Sequence, residues 1–108
     1  MVKLNIKPLS VNEAWQGKKY KSKKYIQYEK DMLIIMPNLN ISQGKYQLTL
    51  HFGFSSPLAD LDNPVKLIQD LLQKKYKIND RDIFKLVVTK ELVKKGKEFI
   101  EYNLEILN

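Results

Sequence analysis

Asp60, Asp62, Asp70 and Asp80, with Lys66 among them and Asp82 close behind, are the side chains of this chain whose types and spacing could do chemistry. They crowd into a short stretch of a protein whose formal net charge is +7. Carboxylates packed together repel one another unless a positive charge sits between them, and a divalent cation held by oxygen ligands is the usual solution. The chemistry to expect is therefore that of a metal ion on hard oxygen donors. The chain contains no cysteine and only one histidine, so thiolate sites, disulfides and histidine-rich metal sites are excluded.

The local pattern says how such a site would be held. Asn63 before Pro64 reads as an N-cap followed by a proline in the first helical position. Val65, Ile68 and Leu72 continue as an apolar stripe at helical spacing. Asp60 and Asp62, two apart in an extended lead-in, point the same way and can converge beside the helix start. Lys66 and Asp70, four apart, share one helix face. An EF-hand, the rival metal reading, fails because Val65 stands where the loop needs glycine and Leu71 where it needs a bidentate glutamate. Singly, each residue also has a bland reading: a cap at Asp62 or Asn63, turn formers at Asp80 and Asp82, a helix ion pair at Lys66 and Asp70. Their joint spacing favours a site.

The run Asp-x-Asp-Asn-x-x-Lys-x-x-x-Asp-x-Leu, here Asp60, Asp62, Asn63, Lys66, Asp70 and Leu72, with Asp80 in an acidic turn beyond it, resembles the signature of the RusA-type Holliday-junction resolvases. Pro8 to Trp15 is similar to the N-terminal segment of that family, and the likeness covers nearly the whole chain. It implies a homodimeric, Mg²⁺-dependent endodeoxyribonuclease (Mn²⁺ being the alternative cation) acting on four-way or other branched DNA. By the same likeness Asp60, Asp62 and Asp80 bind metal and Lys66 is catalytic. Asp70 is either a further ligand or the partner that orients Lys66. The chain departs from the family at Ala59, where many members carry a basic residue, and in the turn around Asn79–Asp82, which lacks a glycine and leaves Asp82 as a rival to Asp80. Members are often found in phages and prophages.

The charge distribution fits a polyanionic partner. Residues 1–30 carry eight lysines against Glu13 and Glu29, while the remainder is nearly balanced. Lysines 18, 19, 21, 23 and 24 interleave with Trp15, Tyr20 and Tyr25, a mixture suited to phosphates and stacked bases. The candidate DNA contacts are Asn12, Lys18, Lys19, Lys21, Lys23 and Lys24. The plain alternative is a lysine-rich solvated surface whose aromatics, Trp15 and Tyr25, only anchor a loop. Arginine is nearly absent, which argues against base-specific readout. Two functional alternatives follow: a non-catalytic, lysine-rich DNA-binding protein, and a nuclease for another branched nucleic acid or for RNA.

The elements that must position these residues are legible from periodicity. Val2, Leu4 and Ile6 predict a first strand, and residues 10–24 an irregular basic segment. A helix over 22–36 carries Tyr25, Ile26, Glu29, Met32, Leu33 and Met36 and stops at Pro37. Tyr46 to Phe54 is the cleanest strand pattern. His51, on its polar side, reads as an ordinary surface residue rather than a base. A strand at 83–89, a hairpin turn at 93–97 and a strand at 98–107 close the chain. The expectation is one α+β domain, a mixed sheet with two helices in the order β-α-β-α-β-β. No apolar run is long enough to span a bilayer and no leader opens the chain, so a soluble, cytoplasmic protein is expected.

Overall fold

The computed structural model describes residues 1–16 and 20–107. The elements in order are β1 (Val2–Leu4), α1 (Val11–Ala14), β2 (Trp15–Gln16), β3 (Tyr20–Lys21), α2 (Lys23–Ile35), β4 (Tyr46–Phe54), α3 (Val65–Tyr76), a 3₁₀ turn (Asp80–Asp82), β5 (Ile83–Leu92) and β6 (Phe99–Ile106). The main helices and strands follow the expected order in one α+β domain. Two features are additional. The described parts of residues 10–24 are not irregular: the Glu13 carboxylate accepts from the backbone N–H and the hydroxyl of Ser10, both at 3.3 Å, which seeds the one-turn helix α1. The chain then forms a small antiparallel ribbon, Trp15 opposite Lys21.

The four-stranded sheet has the order β1-β6-β4-β5. β4 pairs with β6 antiparallel and with β5 parallel, so β4-α3-β5 is a crossover unit. This corrects the expected β5–β6 hairpin. The turn is present, with Lys97 N–H bonded to the Lys94 carbonyl at 2.9 Å and Gly96 at φ +91°, but it joins strands that lie on either side of β4. The reason is composition. β4 carries large apolar residues on one face, uncharged or small ones on most of the other, and no lysine, which suits the middle of a sheet. β5 bears Lys85, Lys90 and Glu91, which are tolerated on an edge.

The core lies between one face of this sheet and the two long helices. Leu48, Leu50, Phe52, Ile100 and Tyr102 face Met32 of α2 and Leu67, Ile68, Leu71 and Leu72 of α3, all fully buried. Ile106, the last residue of β6, is 43% exposed. The Ser22 hydroxyl caps α2 by accepting from the Tyr25 N–H at 3.1 Å and ties it to α1 by donating to the Glu13 carbonyl at 2.6 Å. The C-terminal turn of α3 is fixed by the Tyr76 hydroxyl, which meets the Tyr102 hydroxyl at 2.6 Å and the Pro37 carbonyl at 2.8 Å. Among the described residues no helix is long and apolar enough to cross a membrane.

Candidate functional site

The loop after β4 delivers Asp60 to the start of α3, but not in the expected extended form. Residues 61–64 make a turn, in which Asn63 N–H bonds to the Asp60 carbonyl at 3.4 Å and Val65 N–H to the Asp62 carbonyl at 3.1 Å. The helix begins one residue later than predicted, with Pro64 rather than Asn63 as its N-cap. Asn63 turns back instead, its side-chain amide reaching the Asp60 carboxylate at 3.5 Å. Asp60 and Asp62 are exposed beside the N-terminus of α3, where the helix dipole favours negative charge.

One turn into α3, Lys66 stands between two carboxylates. Its ammonium lies 3.3 Å from Asp70 and 3.4 Å from Asp80, so the helix and the acidic turn meet through this side chain. The Asp80 backbone N–H is held by the Gln73 side chain at 3.3 Å, which fixes that turn against α3. Asn79 caps the 3₁₀ turn by accepting from Arg81 N–H at 3.1 Å. The Asp70 hydrogen bond and charge, with a smaller share from Asp80, hold the Lys66 ammonium above the ordinary lysine value against slight burial. Lys66 is thus a permanent cation at neutral pH, suited to binding an anion and not to abstracting a proton.

The fold therefore brings together Lys66, Asp70 and Asp80, and separately Asp60 with Asn63, while Asp62 is the exposed neighbour of the latter pair. Among the described residues no three acidic or histidine side chains stand together as a metal-binding group. The donor set remains chemically suited to a hard cation, being oxygen-only and exposed or half-buried. Asp82 is half-buried in the same 3₁₀ turn as Asp80.

Two neighbours of the site were not foreseen. Lys90, on β5, donates to the Ala59 carbonyl at 2.8 Å, so a basic side chain stands beside Asp60 although residue 59 is not basic. Only strand order could reveal it. A cavity of about 240 Å³ opens next to Asp60 and Asn63, walled by Lys7, Ser10, Phe54 and Ser55.

The candidate DNA contacts divide. Asn12, Lys23 and Lys24 are exposed, although Lys24 stands 3.5 Å from Glu13. Lys21 is bonded to the nearly buried Glu29 at 2.6 Å and lies 5.0 Å over the Tyr25 ring, which makes it part of the packing. Lys18 and Lys19 lie outside the described residues. Trp15 packs edge-on against Tyr25 with ring centres 5.5 Å apart, the anchoring arrangement rather than a free stacking platform. His51 shares a hydrogen bond with the Thr89 hydroxyl at 2.6 Å and donates to the Glu91 carboxylate at 3.0 Å on the open face of the sheet, well away from the core. No family model matches the chain, and no curated protein matches it.

Proposed function

We propose that the chain is a magnesium-dependent endonuclease of the RusA type, which resolves four-way DNA junctions by paired symmetric nicks in the cytoplasm of a bacterial or phage-infected cell. The observation that carries this reading is the contact of Lys66 with Asp80. Residues fourteen apart in sequence, matched to the catalytic lysine and the downstream aspartate of the family, stand side by side against α3, the helix that Asp60 and Asp62 precede. Chance clustering of caps and turn formers gives no reason for that juxtaposition.

Asp60, Asp62 and Asp80 are the residues that would hold the cation, with Mn²⁺ as its substitute. When bound, the cation supplies an activated water and neutralises charge on the scissile phosphate. Lys66, permanently charged and 60% exposed, exchanges a carboxylate oxygen for a phosphate oxygen and stabilises the developing charge. Asp70 keeps its ammonium aimed at that point. Lys90 and the exposed Lys23 and Lys24 bind backbone phosphates, and with Arg81 as the one arginine of the sequence recognition follows shape. Two matched cuts in a two-fold-symmetric substrate call for two copies of the chain.

A second reading, a lysine-rich DNA-binding protein without catalysis, is favoured by the separation of Asp60 and Asp62 from the Lys66 cluster. The deciding experiment is nicking of an end-labelled four-way junction beside a matched linear duplex, with Mg²⁺ or EDTA. Symmetric Mg²⁺-dependent cuts, lost by at least a hundredfold in Asp62→Asn and in Asp80→Asn while gel-shift binding persists, are expected. Binding without any nicking under Mg²⁺ or Mn²⁺ makes the chain a binding module. Equal cutting of junction and duplex, or of RNA, leaves a nuclease with another substrate.

A further inference from the structure

We infer that the free edge of β5 pairs with β5 of a second copy, antiparallel about a two-fold axis at Val88, joining the two sheets into one. β5 ends the sheet order, is ten residues long, contains no proline, and among the described residues has no strand on its outer side. Such an edge is a template for another strand. It is also unusually apolar for an edge, with Phe84, Leu86 and Leu92 exposed by 62%, 43% and 61%.

The sequence of the strand identifies the occupant as itself. In an antiparallel pair only residues on the same face stand opposite each other. Centring on Val88 sets Lys85 against the partner's Glu91 and, by symmetry, Glu91 against the partner's Lys85. It sets Val87 against the partner's Thr89, a β-branched pair, both beyond the register shift between β4 and β5 at Phe84. The Glu91 carboxylate holds His51 through one oxygen and keeps the other for this contact. Centring on Val87 or Thr89 loses both charge pairs, and centring on Lys90 opposes two ammonium groups. Lysine on an edge ordinarily deters pairing; this register turns Lys85 into an attractive partner.

The two-fold axis stands perpendicular to the sheet, so both copies keep α2 and α3 on the same side. Lys90 is two residues from the axis, about 7 Å along the strand, and its ammonium holds the Ala59 carbonyl immediately before Asp60. The two Asp60 loops therefore flank the axis on one face of the joined sheet. The interface rests on β5 alone and does not depend on the nuclease reading; it adds to that reading a common face for the two sites.

Sedimentation velocity on the full chain over a dilution series tests it, with Lys85→Glu, Glu91→Lys and the combined variant. Wild type is expected to dimerise, each single reversal to raise the dimer dissociation constant about tenfold by turning two attractions into repulsions, and the combined variant to recover wild-type association. Both substituted side chains are exposed, and thermal melts check that each variant is folded, Glu91→Lys in particular because it gives up the His51 contact. A wild type that is monomeric at every concentration overturns the interface. A dimer indifferent to both single reversals, or a combined variant no better than the singles, overturns the register and the inference with it. Neither outcome depends on whether the junction is cut.

Discussion

Lys21, Lys24, Lys66 and Lys74 all belong to the excess that composition offers to a polyanion, yet each already has a carboxylate partner within the fold. Glu29 is the most consequential of those partners. Only 11% of its side chain is exposed, and it takes ammonium groups from Lys21 on the ribbon and Lys74 on α3. Burial pushes its carboxyl upward, but the two lysines outweigh this and hold its pKa below the usual carboxylate value. A group whose folded pKa is depressed stabilises the fold above its unfolded value and loses that contribution as pH falls through the folded one. Glu29→Gln is therefore expected to destabilise the protein at neutral pH by about 1–2 kcal/mol, discounted because both lysines are partly solvated, and to lower Tm by roughly 5–10 °C. Thermal melts at a series of pH values check the sign: the gap between wild type and variant should close progressively below pH 4.5. A constant gap would mean that shape, not charge, makes the contribution.

β4 shows what an element in the centre of a sheet must satisfy on both faces. Its core face is uniformly large and apolar, but its open face contains Gly53, over which the Phe99 ring of β6 is laid. A Cβ built at residue 53 would come within 2.4 Å of that ring. Phe99 is 4% exposed although it lies on the face away from the helices, being covered by the Lys3 ammonium 4.3 Å above its ring and by His51 at 5.6 Å between ring centres. The glycine is needed for this close approach, not for backbone freedom. Gly53→Ala should cost about 1–3 kcal/mol by overpacking. Denaturant unfolding of Gly53→Ala with and without Phe99→Leu tests the cause, since trimming the ring should recover part of the loss. From the sequence His51 and Gly53 could be assigned to the polar side of a strand, and they are there. That Phe99 would close over them could not be read, because it comes from a strand whose neighbour was misassigned.

Across the whole molecule, an excess of positive charge carried almost entirely by lysine predicts binding that is strong at low salt and indifferent to sequence. Each backbone phosphate contact contributes about 0.9 to the slope of log affinity against log salt. Lys23→Ala, at an exposed lysine on the first turn of α2, is expected to lower that slope by about one for a four-way junction and to weaken all DNA sequences equally. Fluorescence anisotropy between low and physiological salt measures it, and an unchanged slope would remove the α2 start from the DNA path.

The sequence by itself determined what local periodicity and local chemistry control. Helices α2 and α3 and strand β4 stand within a residue or two of where their apolar spacing put them, because the period of burial is a property of each segment alone. The Lys66–Asp70 pair was legible for the same reason, four residues being one helical turn. Tertiary structure alone decided the rest. Strand order places β4 between β5 and β6, since several orders bury the same faces and only long-range packing chooses among them. That order brings Lys90 to Ala59, the crossover brings Asp80 to Lys66, and Glu29 gathers two lysines from separate elements. It also leaves β5, the strand in which Lys85 and Glu91 stand three residues on either side of Val88, as the edge of the described sheet.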